Sequence, residues 1–373
     1  MSEMFPIKVT EDSLKLDFNV YVGSETGPFK GVHFRGLNET PIYKNILALE
    51  HLVPSCYITA MNWADVEENN IMLATINGNI CVYESRKLKN FNRCLPTDTK
   101  HGRIMGVSEY EGAHLTAFDS GVVKNWVDDE KDQLLLDAGK NLKVMLHSQT
   151  DRKVIATGGS ENQLRLWDLN EKKCTFEAKN IRPDELQLRV GVDVSGITFL
   201  SNNRNLATCS KYGFANIYNP GSQRRPVIST KVPDNAFSCI TTAPNENHVV
   251  VGSGVGNILL IDLRKTNKIV SKYKGCSGCV TAIACHKTEP YIVSLSLDRC
   301  LRVHNLNTTA LVHKVHMVSP LNFLLVRSDF SFEKSPSAAA EDMVAVESDS
   351  EDIFKDLEKV EDKPRKKRKL TNA

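Results

Sequence analysis

One short pattern recurs seven times along the chain, and it narrows the possible folds more than any other feature. Each copy runs through an apolar triplet, a small polar turn with Gly, Asn or Asp, then alternating apolar residues that end on an anchor. The copies are VYVGSETGPFKGVHF from Val20, MLATINGNICVYES from Met72, HLTAFDSGVVKNWVDD from His114, VIATGGSENQLRLWDL from Val154, LATCSKYGFANIYNP from Leu206, VVVGSGVGNILLIDL from Val249 and IVSLSLDRCLRVHNL from Ile292. Their anchors are Val32, Tyr83, Trp126, Trp167, Tyr218, Ile261 and His304, at successive gaps of 51, 43, 41, 51, 43 and 43 residues. Period-2 alternation broken by turn residues is a strand signal. A repeat of about 40–45 residues built this way is a WD40 blade, so two intervals carry insertions of about eight residues. Upstream runs such as YITAMNW, VSGITFL, CITTAP and VTAIAC read as strand a, the repeat itself as strands b and c, and the segment after the anchor as strand d. A single blade cannot bury both faces of its sheet, so neighbours must stack in a ring. The chain is therefore expected to be all-β, a seven-bladed WD40-type β-propeller.

The way the ring closes can also be read. No convincing strand a precedes Asn19, whereas the last copy is followed by an extra strand-like run, Leu321 to Val326. This run is expected to supply strand a of the first blade, pairing both sheet edges and tying the start of the ring to its end. The expected propeller is 1–328, followed by a disordered tail over 329–373. Trp167-Asp168 is the one intact WD dipeptide, and no Gly-His dipeptide opens a blade. The usual buried His–Ser–Asp–Trp network is thus not expected in every blade.

Charge is segregated. The formal net charge is only +2, but residues 1–328 carry 38 bases against 33 acids, and residues 341–362 carry 2 against 10. Residues 363–373 add six bases and no acid. Sparse apolar content leaves the tail unable to fold by itself. Its KPRKKRK run (Lys363, Arg365, Lys366, Lys367, Arg368 and Lys369) has the form of a nuclear-import address read by an importin. Ser348 and Ser350 precede acids, a setting that acid-directed kinases favour. The N-terminus has no h-region and reads as no secretory signal. No apolar run reaches the roughly 18–20 residues of a membrane-spanning helix, so no membrane partner is expected. Ten scattered cysteines in such a chain suit free thiols in a reducing compartment.

Catalytic chemistry is hard to find. Cys276-Ser-Gly-Cys279 with Cys285-His286 has zinc-like spacing, yet no second pair follows, so accidental thiols are the better reading. Gly252-x-Gly254-x-Gly256 joins two strands, whereas a dinucleotide loop must open a helix. No catalytic residue, metal site or cofactor is assigned, and an enzyme is not expected. The unusual stretches are two insertions, Lys179 to Arg189 after the fourth blade and Gln223 to Val227 in the fifth. The strand order puts the first in a d–a connection and the second in a c–d turn, on opposite rims. Lys179, Arg182, Arg189, Arg224 and Arg225 are then candidate contacts for carboxylate or phosphate, without forming one patch. The alternative is plain surface charge, and Arg189, between Leu188 and Val190, also suits a structural arginine.

These same stretches carry a family resemblance. VYVGSETGPFKGV, VIATGGSENQLRLWDL, FEAKNIRPDELQLRV, GSQRRPV, IDLR and LDRCLRVHNL resemble the ribosome-assembly factor family of WD repeat-containing protein 74 and its fungal Nop-seven-associated counterpart. The K-N-x-R-x-D-x-L-x-L-R-V run, which includes Asp184, and the QRRPV run are the specific parts. The family's run continues into Pro and soon Trp, where this chain has Gly191, Val192 and Asp193. The resemblance implies a nucleolar scaffold on precursors of the large (60S) ribosomal subunit. It implies contacts with other pre-60S assembly factors and pre-rRNA, with Lys179, Arg182, Asp184, Arg189, Arg224 and Arg225 as the residues of interest. It further implies release by an AAA-type ATPase of the nuclear valosin-containing-protein-like kind and a link to the RNA exosome helicase. The competing reading is a WD40 substrate receptor of a cullin-type ubiquitin ligase, suggested by Asp262-Leu-Arg264 after anchor Ile261.

Overall fold

Every anchor of the repeat faces the same position of the strand before it. Val32 pairs with Val20, Tyr83 with Ile71, Trp126 with His114 and Trp167 with Ile155. Tyr218 pairs with Leu206, Ile261 with Val249 and His304 with Ile292. One register therefore serves all seven copies, as the shared side-chain pattern requires. The structure, a computed structural model, describes residues 17–36, 39–47, 57–86, 91–96, 99–126, 132–183, 186–200, 205–245, 247–264 and 269–332. These form seven four-stranded antiparallel sheets, the blades of a β-propeller.

Blade 4 consists of strands a to d at Leu142–His147, Val154–Gly159, Asn162–Asp168 and Lys173–Glu177. Blade 5 follows with Val194–Phe199, Leu206–Ser210, Phe214–Asn219 and Gln223–Lys231. Blade 2 has Ile58–Trp63, Asn70–Thr75, Asn79–Glu84 and Phe91–Pro96, and blade 3 Ile104–Tyr110, Ala113–Phe118, Val122–Trp126 and Asp132–Asp137. Blade 6 has Phe237–Thr242, His248–Ser253, Ile258–Asp262 and Ile269–Tyr273, and blade 7 Val280–Cys285, Tyr291–Ser296, Cys300–Asn305 and Leu311–His316. In blades 2 to 7 the a–b pairing slips by one residue near the start of strand a, a bulge that increases local twist. Apolar side chains on both faces of a blade are covered by its neighbours: Leu164, Leu166 and Phe176 of blade 4 pack with Val194 and Ile197 of blade 5.

Blade 1 is completed from the far end of the ring. Strand Phe323–Val326 pairs antiparallel with Val20–Gly23, Val326 opposite Val20 and Phe323 opposite Gly23. Asn322 N–H donates to Gly23 O and Arg327 N–H to Asn19 O, both at 3.0 Å, so the ladder continues past both ends of the strand. The buried Arg327 guanidinium then donates to Asp17, Asp329 and the Phe18 carbonyl. The buried Glu68 of blade 2 accepts from Lys287 Nζ and from the Ser328 amide, both at 2.6 Å. Packing runs further than the expected boundary at 328. Phe332 is fully buried against Tyr291 (4.8 Å between ring centroids) and Phe34 (5.3 Å), and its amide donates to Glu289 Oε2 at 2.9 Å. The aromatic pair Phe330–Phe332, not visible as a repeat, is what carries the chain beyond the last strand.

The buried polar links differ from blade to blade. Trp126 Nε1 donates to Thr116 Oγ1 at 2.9 Å, and Trp167 Nε1 to Thr157 Oγ1 at 2.8 Å. Blade 7 uses a buried arginine instead, Arg302, which donates to Ser296 Oγ at 2.9 Å and to both oxygens of Asp298. Burial alone would raise the Asp298 carboxyl, but hydrogen bonds from Arg302 and Ser296 outweigh it and hold it well below the usual carboxylate range.

Candidate partner-binding edge at blades 4 and 5

The two basic insertions meet. Gln223–Lys231 begins as strand d of blade 5 and includes Arg224 and Arg225, so these are not turn residues on an opposite rim. The register between strands c and d shifts at Ile217/Asn219, which leaves Arg224 free of its own blade and turned toward blade 4. There the Lys179 amide donates to Arg224 O at 2.8 Å. The Arg224 guanidinium donates to Glu177 twice, Nε to the carbonyl oxygen and Nη2 to Oε2, each at 2.7 Å. Glu177 Oε1 also accepts from Arg165 Nη2 at 3.1 Å, and Arg165 Nη1 donates to Ala138 O at 3.0 Å. One carboxylate thus bridges two guanidinium groups, while Lys179 and Arg225 stay exposed beside it. The expectation of separate rims was wrong because the strand d bulge sends the second insertion outward along the edge.

The first insertion is an outward loop tied at its base. Asn180 Nδ2 donates to Val190 O at 2.6 Å, and Asn180 Oδ1 accepts from the Ile181 amide. Behind it, the buried Asp193 carboxylate accepts Lys143 Nζ at 2.8 and 2.9 Å and Ser160 Oγ at 2.9 Å. Arg182 is exposed, and Arg189 is 71% exposed with Glu161 4.0 Å away. Such a pair holds little energy, so Arg189 is no structural arginine. Asp184 lies outside the described residues, as do Lys363 to Lys369, Ser348, Ser350 and the rest of 333–373. A Cβ at Gly191 would lie 2.7 Å from the outer atoms of the exposed Tyr212 ring, which packs over this end of the loop. Sequence reading missed Glu177, Arg165 and Tyr212, and it missed that Leu186 and Leu188 are exposed, because D-E-L-Q-L-R-V alternates as a buried strand would.

Two other sequence features lie on other blades. Arg264 turns back on its own Asp262, with Nε 3.0 Å from Oδ1 and Nη2 3.0 Å from Oδ2, and its hydrogen bonds hold that carboxyl well below the usual range. The D-x-R end of strand c is thereby self-satisfied. Among the described residues no three His, Cys, Asp or Glu side chains gather where a metal could sit. Burial raises the Cys276 thiol and pushes Cys285 up to about 12, which keeps both protonated. A cavity of about 450 Å³ on the ring axis is lined by strand a ends, among them Asn62, His147, Thr198, Thr241 and Arg327.

Comparison with known proteins agrees with this architecture. Residues 267–305 match the family described as WD domain, G-beta repeat. The chain is similar to WD repeat-containing protein 74 of Bos taurus, 32% identical over 87% of this chain and 84% of that protein. It is similar to the protein of the same name from Homo sapiens, also 32% identical over 87% and 84%. The ribosome biogenesis protein nsa1 of Schizosaccharomyces pombe is 23% identical over 96% of this chain and 88% of its own length. Among solved structures, the computationally designed Ika8 protein superposes with a TM-score of 0.55 at 15% identity, covering 71% of this chain and 76% of that one. That likeness shows the fold alone.

Proposed function

We propose that this chain, which belongs to the family of WD repeat-containing protein 74, is a non-catalytic ribosome biogenesis factor. It works as a rigid platform in the nucleolus, on precursors of the large ribosomal subunit. The observation that carries this reading is the match over 87% of the chain together with the name of the fungal relatives, ribosome biogenesis protein. A ring whose blades cover one another's faces suits a platform whose loops bind while its frame stays fixed. Lys179, Arg182, Arg189 and Arg225 would meet acidic assembly factors or pre-rRNA phosphates, with Arg224 bracing the edge. The basic run at Lys363 to Lys369 supplies nuclear import through an importin. Release by an AAA-type ATPase and a link to the exosome helicase complete the reading.

A sucrose gradient tests it. The chain should co-sediment with large-subunit precursors, and Arg182→Glu with Arg189→Glu should weaken that association while the melting temperature holds. Stable association with a ubiquitin-ligase adaptor, and none with particles, would overturn it. If stability and association fall together, the two arginines serve the ring and not a partner.

A further inference from the structure

One rim of the propeller carries the turns between strands b and c and the connections from each strand d to the next strand a. On three consecutive blades this rim is apolar at its tips. Tyr212, Val255 and Leu297 occupy the b–c turns of blades 5, 6 and 7 and are 51%, 63% and 55% exposed. Val318, in the connection leaving blade 7, is 61% exposed. The equivalent turns of blades 1, 3 and 4 carry Glu25, Ser120 and Glu161, and blade 2, not adjacent to the three, carries Ile76 at 49% exposed. Hydrogen bonds tie the blade 5 and blade 6 turns to the connection between them, and the blade 7 turn to the connections on either side of it. Val232 N–H donates to Gly213 O, Gly254 N–H to Ala236 O, Leu297 N–H to Cys279 O and Met317 N–H to Arg299 O, at 2.7 to 3.0 Å.

Val318 is held there at a cost. Its φ is +66°, in the left-handed region, and the Ser319 amide closes back on Met317 O at 2.8 Å. A β-branched residue in this conformation is a genuine outlier, strained by about 1–3 kcal/mol. Burial offers no compensation, because the side chain faces solvent. Strain of this kind gathers where a clamp or contact needs a fixed side chain. The charges around the arc are also one-sided. Lys211, Lys274 and Arg299 are exposed along it, and Asp234 is the single exposed acid on the same turns and connections among the described residues. The Asp298 carboxylate is already taken by Arg302, Ser296 and the Ser277 amide.

We infer that this arc docks a partner protein through an amphipathic segment whose apolar residues are flanked by acids. Tyr212, Val255, Leu297 and Val318 receive the apolar side chains, and Lys211, Lys274 and Arg299 face the acids. Apolar tips with bases beside them fit a segment whose apolar residues are flanked by acids. An RNA strand would meet the three bases but leave Val255, Leu297 and Val318 without a use, so a protein is the occupant. At Tyr212 the arc adjoins the insertion loop between blades 4 and 5, whose Gly191 lies against that ring, while Val255, Leu297 and Val318 belong to blades 6 and 7 and the connection after them.

The test places a photo-crosslinking benzoylphenylalanine in the full chain, at Val255 or Leu297, with Lys272 on an outer strand as control. Adducts formed in cells are purified and mapped to the residue by mass spectrometry. The expected result is one protein segment at both positions, with apolar residues and acids beside them. Val318→Asp should lower its adduct yield by about tenfold or more, as loss of an anchoring contact does. Val318→Gly, which removes the side chain and the strain, should lower the yield too while raising the melting temperature. Adducts to RNA, to this chain itself or to a segment lacking acids would overturn the proposal. So would yields no higher than at Lys272.

Discussion

Arg224 of blade 5 reaches across the blade boundary to Glu177 of blade 4, its Nη2 2.7 Å from Oε2 and its Nε 2.7 Å from the carbonyl oxygen. Both side chains are half exposed, so the ion pair itself contributes only about 0–1 kcal/mol. Arg224→Ala should therefore lower the free energy of unfolding by about 1 kcal/mol, the ion pair and one main-chain hydrogen bond together. Urea denaturation checks this, and a loss several times larger would place Arg224 among the ring's structural residues.

Pre-rRNA binding gives a second, electrostatic test. If Arg182 and Arg189 meet phosphates, replacing each by Ala weakens binding evenly across RNA sequences. The slope of log affinity against log salt should fall by about one for each arginine removed. An unchanged slope would turn the loop toward protein partners.

Ring closure sets a third expectation. Deleting 320–328 removes strand Phe323–Val326 and the Arg327 clamp on Asp17 and Asp329, and cooperative melting should be lost. Phe332→Ala should cost about 3–5 kcal/mol, as other fully buried Phe truncations do. A chain ending after Phe332 should melt like the full chain, whereas one ending after Ser328 should melt lower.

Stability should also fall in mild acid. The His147 ring is buried with Nδ1 3.0 Å from Ser108 Oγ, and burial lowers its pKa from 6.5 to about 4. Between those values the unfolded chain binds a proton that the folded chain does not. The contribution is full above about pH 6.5, is lost as pH falls toward 4, and amounts to about 3 kcal/mol. Burial lowers His286, His304 and His313 in the same sense. Thermal melts from pH 7 to pH 4 should show the decline, and His147→Gln should flatten it.

Much of the fold was legible before any coordinates. The seven anchors are spaced by a repeat of fixed register, and alternation with a period of two decides which side chains face a neighbouring blade. The seventh sheet, too, could be read from the lone run ending at Val326 once the first repeat lacked a strand. Local pattern suffices where each blade repeats the same short-range rule.

What pattern could not decide was how edges and ends meet. That Lys179 and Arg224 share a hydrogen bond depends on a bulge at Ile217/Asn219, and nothing in the repeat encodes it. That Leu186 and Leu188 face solvent depends on Asn180 closing the loop onto Val190, against their strand-like alternation. Phe332 belongs to the ring because Tyr291 and Phe34, far apart in sequence, leave a socket for it. The sequence by itself determined the blade, its register and the number of copies, because those follow from interactions between residues a few positions apart. The candidate edge, the apolar arc and the true end of the ring were decided by the tertiary structure, because each joins segments from different blades.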